Sequence, residues 1–261
     1  MARLDAELVS RGIARSRERA KEMIRAGSVT VNGKKAGKPS DEVCPDDEIV
    51  SSEEELYVGR GALKLEKAVK EFRIDLTGKR CLDIGASTGG FTEYMLKCDA
   101  VKVFSVDVGH DQLAVSLRND DRVVNMEGTD IRNVTADDLG GEVDFICADV
   151  SFISLKLILP KVYELLSDGS EAALLIKPQF EAGKSDIGKH GIVKDKRVHV
   201  RVLSDIDAFA QGLGFVTEAY SFSPIKGGSG NIEYLVHLVK KPDVPKIHDL
   251  KGLAESAFRQ L

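Results

Sequence analysis

Residues 80–178 alternate between short apolar segments and segments of helix length, and this alternation constrains the fold more than any other feature. Five of the apolar segments have strand character: 80–84, 101–107, 122–126, 143–149 and 172–178. Strands that alternate with helices form a parallel sheet with helices on both faces, and its ligands bind beyond the carboxyl ends of the strands. Two later strand-like segments, 215–222 and 232–239, predict a terminal hairpin. We therefore expect an α/β, doubly wound, mostly parallel seven-stranded sheet.

A glycine-rich turn follows the first of these strands, within residues 81–92. Such a turn lets the backbone approach a bound nucleoside, because glycine accepts the positive φ that the turn needs. Ser87 stands where the dinucleotide fingerprint has the glycine that makes room for a pyrophosphate. This departure favours S-adenosyl-L-methionine over NAD as the cofactor. The turn predicts the following cofactor contacts: Asp83, Gly85, Ser87, Gly89, Gly90 and Phe91.

Acidic residues near the strand ends are further candidates for cofactor binding: Asp83, Asp107, Asp130 and Asp149. Asp107 ends the second strand, 22 positions after Gly85, where it could accept hydrogen bonds from two ribose hydroxyls. Asp130 follows the third strand and could bind an adenine amino group, and Asp83 could bind the amino end of the methionine moiety. For Asp107 and Asp130 the alternative is a helix cap or an exposed turn.

Four charged residues at strand ends or close to the pocket could serve methyl transfer to a hydroxyl: Lys64, Asp149, Lys177 and Glu233. Such a transfer needs a base for the hydroxyl proton and accurate orientation of the oxygen. A free lysine is a poor base at neutral pH, but burial or a second ammonium lowers its pKa, and Lys64 and Lys177 could do this for each other. Asp149 and Glu233 would orient the ammonium groups. Taken singly, each residue is better explained as an ordinary surface or salt-bridge residue, and only the pattern of all four indicates catalysis.

The net charge of −5 conceals three unequal blocks. Residues 1–38 carry ten basic and four acidic side chains, a balance of +6. Residues 39–55 carry eight acids and no base, and the remainder carries −3. Clustered lysine and arginine side chains can bind nucleic-acid phosphates, so the basic block predicts a nucleic-acid platform. A solvated helix face is the alternative explanation of the same charges.

The basic block also has the pattern of a small folded module. Two amphipathic helices are predicted, the second capped by Ser16 and ended by Gly27. The strand 29–31 is followed by Asn32-Gly33, a strong hairpin signal, and 47–50 can complete a small sheet. Residues 1–50 resemble the S4 domain, a small α+β RNA-binding domain. The resemblance implies RNA contacts at these basic residues: Arg15, Arg17, Lys21, Arg25 and Lys34.

A second resemblance covers the α/β region. Its motifs are 60–65, 83–92, 148–152, 175–181 and 230–234. They resemble the FtsJ-type RNA 2′-O-methyltransferases, whose Lys-Asp-Lys-Glu tetrad falls on Lys64, Asp149, Lys177 and Glu233. Together with the N-terminal module, the chain resembles the TlyA, or hemolysin A, family. The resemblance implies a Rossmann-like class I S-adenosylmethionine-dependent methyltransferase fold, a ribosomal RNA or ribosomal-subunit partner, methylation of a cytidine ribose, and Lys177 as the base.

The segment 179–193 is glycine-rich and carries Lys184 and Lys189 near the same sheet edge. We predict that it closes over RNA, with these two lysines in contact; a mobile surface loop is the alternative. The domain boundaries predicted from these patterns are 1–58 for the RNA-binding domain with its acidic linker, 59–242 for the methyltransferase domain, and 243–261 for a tail that forms a short helix.

Several function classes are disfavoured by what the sequence lacks. No apolar run approaches the roughly 20 residues that cross a bilayer, and the first residues do not resemble a secretory signal. We therefore expect a cytoplasmic protein without stable membrane association, and no metal site, since the five histidines lack ligand spacing. An NAD-dependent oxidoreductase, a pore-forming cytolysin and a non-catalytic RNA-binding protein stay open as alternatives, as do the oligomeric state and the modified nucleotide.

Overall fold

The computed structural model describes residues 1–14, 16–52, 57–244 and 246–261. Within these ranges the chain forms two compact units, Met1–Leu56 and Tyr57–Leu261. The boundary lies two residues before the predicted one, and the second unit includes the predicted tail. The last three residues of the predicted acidic linker, Glu53, Glu54 and Glu55, lie outside the described residues.

The first unit is a small α+β module. Its elements, in chain order, are β1 (Ala2–Arg3), α1 (Leu4–Ser10), α2 (Arg17–Ala26), β2 (Val29–Val31), β3 (Lys34–Lys35), β4 (Glu42–Val43) and β5 (Ile49–Ser51). Helix α2 begins at the predicted cap, where the Ser16 Oγ accepts a hydrogen bond from the backbone N–H of Arg19 at 3.2 Å. It ends at Gly27, whose φ is +78°. The predicted hairpin is confirmed, because β2 pairs with both β3 and β5.

A buried carboxylate ties the two helices of this module together. Asp5 has no exposed side-chain surface, and its oxygens lie 3.0 Å from Arg3 Nε and 3.1 Å from Arg17 Nη2. The hydrogen bond from Arg3 and the charges of both guanidinium groups lower the pKa of Asp5 to about 2, although burial acts in the opposite direction. Arg17, predicted to bind RNA, is therefore also a structural partner of Asp5.

The other basic residues of this unit that are predicted to bind RNA differ in their exposure and in their ion pairs. Lys21 Nζ lies 2.7 Å from Glu18 Oε1 on the surface of α2. Arg25 and Lys34 are exposed, the first on the last turn of α2 and the second on β3. Arg15 lies outside the described residues. RNA binding by this set stays a prediction.

We expect Asp5→Asn to destabilise the first unit by about 1–3 kcal/mol near neutral pH, because it removes the charged partner of two arginines. The folded-state pKa of Asp5 lies below its unfolded value of 3.8. The stabilisation is therefore present above pH 4 and is lost as the pH falls from about 4 towards 2. Amide hydrogen exchange of α1 and α2 measures this, and the exposed Asp46→Asn is the control. Equal protection in the two variants at pH 7 would contradict the assignment.

The second unit contains a central sheet with helices on both faces. Its helices are α3 (Ala62–Phe72), α4 (Gly90–Lys97), α5 (Val115–Arg118), α6 (Leu159–Leu165), α7 (Pro178–Glu181), α8 (Lys196–Leu213) and α9 (Leu250–Gln260). Its strands are β6 (Arg80–Ile84), β7 (Lys102–Asp107), β8 (Val123–Glu127), β9 (Val143–Ala148), β10 (Leu166–Ile176), β11 (Phe215–Phe222) and β12 (Tyr234–Lys240).

The sheet of the second unit confirms the predicted fold class. Over the described residues it has seven strands in the order β11-β12-β10-β9-β6-β7-β8. The neighbours from β10 to β8 are parallel, whereas β12 is antiparallel to both β10 and β11. The predicted terminal hairpin is therefore present, and its second strand lies inside the sheet rather than at its edge. Buried apolar clusters cover both faces of the sheet.

The tail helix α9 packs onto the second unit. Ala254 and Ala257 are fully buried, and the Phe258 ring contacts the His199 ring of α8 with centroids 4.9 Å apart. His199 in turn hydrogen-bonds the Tyr234 hydroxyl at 2.8 Å. Residues 250–260 thus add to the apolar layer over one face of the sheet.

Candidate active site

The strand order brings the tetrad together at one edge of the sheet. Asp149 and Lys177 directly follow the parallel strands β9 and β10, so both emerge at the carboxyl edge. Strand β12 runs the other way, and the pairing of Tyr234 with Ile176 places its start at that same edge. Glu233, the residue before β12, therefore lies next to Lys177. Lys64 reaches this edge from the first turn of α3.

Asp149 bridges two buried lysines. Lys64 Nζ lies 2.9 Å from Asp149 Oδ2, and Lys177 Nζ lies 2.6 Å from Asp149 Oδ1. Lys64 Nζ also lies 2.7 Å from Glu233 Oε2. The side chains of Lys64, Lys177 and Glu233 are each less than a tenth exposed. Two ammonium and two carboxylate groups therefore balance one another where water has little access.

The electrostatics of Lys64 correct one expectation from the sequence. Burial lowers the pKa of Lys64, as expected, but the charges of Asp149 and Glu233 outweigh burial and leave this pKa above its usual value. For Asp149, burial raises the pKa, and the charges of Lys64 and Lys177 outweigh it, so the carboxyl group stays ionised. Lys64 is therefore a paired ammonium group in this structure and not a base activated by a neighbouring ammonium.

Two contacts of Lys177 were missed from the sequence. Ser151 Oγ accepts a hydrogen bond from Lys177 Nζ at 3.0 Å, and the Phe180 ring centroid lies 5.9 Å from the same nitrogen. Ser151 stands two residues after Asp149, inside one of the motifs that carry the family resemblance. The short distance in sequence between this hydroxyl and Asp149 was the signal from which the contact with Lys177 could have been predicted.

A cavity of about 430 Å³ opens beside the tetrad at the carboxyl edge of the sheet. Its walls combine apolar side chains with carboxylates, and the predicted cofactor residues Gly85, Ser87, Asp107, Asp130 and Asp149 line it. Arg132 also lines the cavity, and its guanidinium group is paired with Asp130. An acidic lining suits hydroxyl donors and a cationic ligand better than a pyrophosphate, which argues against NAD.

Asp107 is held at the cavity wall by backbone donors. Its Oδ2 accepts a hydrogen bond from Ser87 N and its Oδ1 accepts one from Gly109 N, both at 2.8 Å. Each carboxylate oxygen keeps a further lone pair for a ligand hydroxyl. Asp130 caps a short 3-10 turn and is bound by Arg132, whose hydrogen bonds lower its pKa. Asp130 therefore is a helix cap, as the alternative predicted. It also lines the cavity, where its carboxylate can accept a hydrogen bond from a ligand.

Asp83 does not line the cavity. Its side chain has no exposed surface, and its Oδ2 accepts a hydrogen bond from Thr92 Oγ1 at 2.7 Å. Burial raises the pKa of Asp83 to about 7, because its effect outweighs that of the hydrogen bonds from Thr92, which lower this pKa. The predicted contact with the amino end of a methionine moiety is not accessible in this structure, because the carboxyl group faces the interior beneath the turn.

Three further predicted contacts of the turn are packing residues here. A Cβ on Gly89 would lie 2.3 Å from Leu117 Cδ1, and one on Gly90 would lie 3.0 Å from the backbone of residues 59 and 62. Phe91 is buried in the apolar cluster between α3, α4 and the sheet. Gly89 and Gly90 thus let α4 pack closely, and none of the three lines the cavity.

The predicted lid segment is fixed at its far end. Asn231 Oδ1 accepts a hydrogen bond from Val193 N at 3.0 Å, and Asn231 Nδ2 donates to Gly191 O at 2.8 Å. Lys184 and Lys189 are exposed on short 3-10 turns before this anchor. Their predicted contact with RNA stays a prediction.

Glu181 and Phe152 are further features of the site that the sequence did not single out. Glu181 accepts hydrogen bonds from Ser154 Oγ at 2.5 Å and Leu155 N at 2.7 Å, which fastens α7 to the segment after Asp149. Phe152 is 91% exposed at the cavity and has a φ of +64°, a strained value for a side chain of its size. The backbone thus holds an aromatic ring in solvent beside the site.

Comparisons with known proteins agree with this architecture. The family model of the FtsJ-like methyltransferases matches residues 57–240, and that of the S4 domain matches residues 2–49. A 16S/23S rRNA (cytidine-2′-O)-methyltransferase TlyA from Mycobacterium tuberculosis is 44% identical over 262 residues, which cover 100% of this chain and 97% of the relative. The chain therefore belongs to the FtsJ-like methyltransferases and, within them, to the TlyA family.

Two solved structures extend the comparison. A protein from Streptococcus thermophilus, described as a candidate hemolysin, is 42% identical, with a TM-score of 0.79 over 99% of this chain and 96% of its own. An S-adenosylmethionine-dependent methyltransferase from Mesorhizobium loti is 15% identical, with a TM-score of 0.51 over 68% of this chain and 98% of its own, and it shows the fold alone. In the described part of the chain, no helix combines the length and apolarity needed to span a membrane.

Gly85 lets the glycine-rich turn pass close to the backbone of Asp149. Its φ is +83°, and a Cβ there would lie 2.9 Å from Asp149 O. We expect Gly85→Ala to lower the stability of the second unit by about 1–3 kcal/mol and to displace Asp149. Gly78→Ala is the matched control, since Gly78 has a φ of +72° and open space around it. Thermal unfolding of both variants tests this, and equal losses would mean that the contact with Asp149 has no effect.

Proposed function

We propose that this protein is an S-adenosylmethionine-dependent methyltransferase that transfers a methyl group to a ribose 2′-hydroxyl of ribosomal RNA, with cytidine as the target nucleoside. The observation that carries the proposal is the carboxylate of Asp149, shared by two buried lysines beside an acidic cavity at the carboxyl edge of the sheet. The activity of the TlyA relative, which matches the whole chain, supports the choice of RNA and of the 2′-hydroxyl.

The cavity suits the proposed cofactor. Asp107 would accept hydrogen bonds from the ribose hydroxyls, Asp130 would accept one from the adenine amino group, and Gly85 and Ser87 would pass close to the ligand. The carboxylates also suit the positive charges of the amino and sulfonium groups. When bound, the cofactor supplies an electrophilic methyl group on a sulfonium. Asp83 would act from below the turn, by holding Thr92 at the start of α4.

We assign the proton transfer to Lys177. In its neutral form, Lys177 Nζ would take the proton of the 2′-hydroxyl as this oxygen receives the methyl group that the bound cofactor would supply. Asp149 then stabilises the new ammonium group at 2.6 Å. Lys64, whose pKa the two carboxylates hold above its usual value, stays charged and keeps Asp149 and Glu233 in place.

The first unit would dock the RNA. It matches the S4 domain and carries the excess of basic residues. Arg25 and Lys34 offer exposed charges for phosphate contacts, and Lys184 and Lys189 add exposed charges in the second unit. An intact tetrad argues against a non-catalytic RNA-binding protein.

We expect Lys177→Ala to slow methyl transfer by about 10²–10⁴-fold while the affinity for the cofactor is kept, because the variant lacks the base. Lys161→Ala is the control, since Lys161 forms a surface pair with Glu164. Transfer from labelled cofactor to separate ribosomal subunits, with mapping of the modified ribose, measures both activity and substrate. Full activity of Lys177→Ala would refute the assignment of the base, and transfer to a base or a protein would refute the proposed substrate.

We expect Arg25→Ala and Lys34→Ala each to weaken RNA binding and to reduce the slope of log affinity against log salt by about one, as for the loss of one phosphate contact. Lys251→Ala, on α9, is the control. Binding of the full chain to ribosomal RNA at several salt concentrations provides the slopes. An unchanged slope in both variants would exclude these two residues from the RNA contact.

A further inference from the structure

The two buried lysines differ in their second partner. Both are paired with Asp149, but the second partner of Lys64 is the charged Glu233 at 2.7 Å, whereas that of Lys177 is the neutral hydroxyl of Ser151 at 3.0 Å. Over the described residues, the charged groups that face Lys177 are Asp149 directly and, beyond it, Lys64 and Glu233. The ring of Phe180 carries no charge.

This difference decides which lysine can lose a proton at the lower cost. Loss of a proton from Lys64 would leave the buried carboxylate of Glu233 without its ammonium partner. Loss of a proton from Lys177 leaves Asp149 paired with Lys64 at 2.9 Å, and the second partner of the neutral amine is then an uncharged hydroxyl. An unpaired buried charge is strongly destabilising, so the neutral second partner favours deprotonation of Lys177.

Ser151 also limits the direction of the lysine lone pair. A neutral amine has two N–H groups and one lone pair on a tetrahedral nitrogen. The hydrogen bond to Ser151 Oγ at 3.0 Å and the ion pair with Asp149 Oδ1 at 2.6 Å hold Nζ from two sides, and together they restrict the directions left for the lone pair towards the substrate hydroxyl. Such orientation is a large part of catalysis by a positioned base.

The backbone that carries Ser151 is itself anchored. Glu181 binds Ser154 and Leu155, and Glu181 belongs to α7, the helix that directly follows Lys177. The distance between the lysine and the serine is therefore fixed from both sides. Ser151 is exposed and lines the cavity, so its side chain can be replaced without opening the apolar core.

We propose that Ser151 is a positioning residue that makes Lys177, rather than Lys64, the proton acceptor and that aims its lone pair at the substrate. The inference rests on the proposed function, because it takes Lys177 as the base.

The test is the pH dependence of single-turnover methyl transfer in the full chain. Ser151→Asp gives Lys177 a second carboxylate, so we expect the acid limb of the profile to move up by about one to three pH units. At pH 7 this corresponds to a rate loss of about tenfold for each unit. Ser116→Asp, at an exposed serine of α5, adds the same charge outside the tetrad and should leave the limb in place.

Two uncharged variants test the orienting role separately. We expect Ser151→Ala to slow transfer by about 10- to 100-fold across the pH range, and Ser151→Thr, which keeps the hydroxyl, to restore most of the rate. Circular dichroism and calorimetry with S-adenosylmethionine check that each variant folds and binds the cofactor. These two variants decide the question even if Ser151→Asp fails to fold.

The inference is overturned if Ser151→Asp folds, binds the cofactor and keeps the acid limb of the parent protein. It is also overturned if Ser151→Ala transfers methyl groups at the parent rate. Failure of the proposed function would give a different result. Full activity of Lys177→Ala would show that Lys177 is not the base. Loss of activity in Lys177→Ala together with an unshifted Ser151→Asp would reject only the role of Ser151.

Discussion

The carboxylate of Asp149, shared by Lys64 and Lys177, is the interaction on which the site depends. Two buried ammonium groups alone would repel each other and would lose hydration without compensation. Asp149 contacts both at less than 3 Å, and Glu233 supplies the second negative charge through Lys64. The four groups therefore sum to no net charge. This balance lets the protein keep two lysines out of water next to a cavity that is itself acidic.

The topology of the sheet explains why these four residues meet. Parallel strands end at one edge, which places Asp149 and Lys177 side by side, and a single antiparallel strand starts at that edge and adds Glu233. Gly85 follows β6 at the same edge, and only a residue without a Cβ leaves room for the backbone of Asp149. The cavity and the tetrad are therefore two consequences of one strand order.

Much of this arrangement could be predicted from the sequence, because it depends on order along the chain. The alternation of strands and helices predicted the sheet, and the motifs predicted the tetrad. The direction and the partners of individual side chains could not be predicted. Asp83 turns inward to Thr92, Arg17 is held by Asp5, and the pKa of Lys64 is raised rather than lowered. Each depends on a neighbour that is distant in sequence or on the face to which a side chain points.

The position of β12 has a consequence for how the protein becomes active. This strand is the last of the described sheet to be synthesised, yet it lies between β10 and β11. A growing chain that has not reached Glu233 has an unpaired edge on β10, and its Lys64 has one carboxylate partner instead of two. The charge balance of the tetrad is thus completed only after nearly the whole second unit has been made, so every shorter N-terminal fragment lacks a finished site.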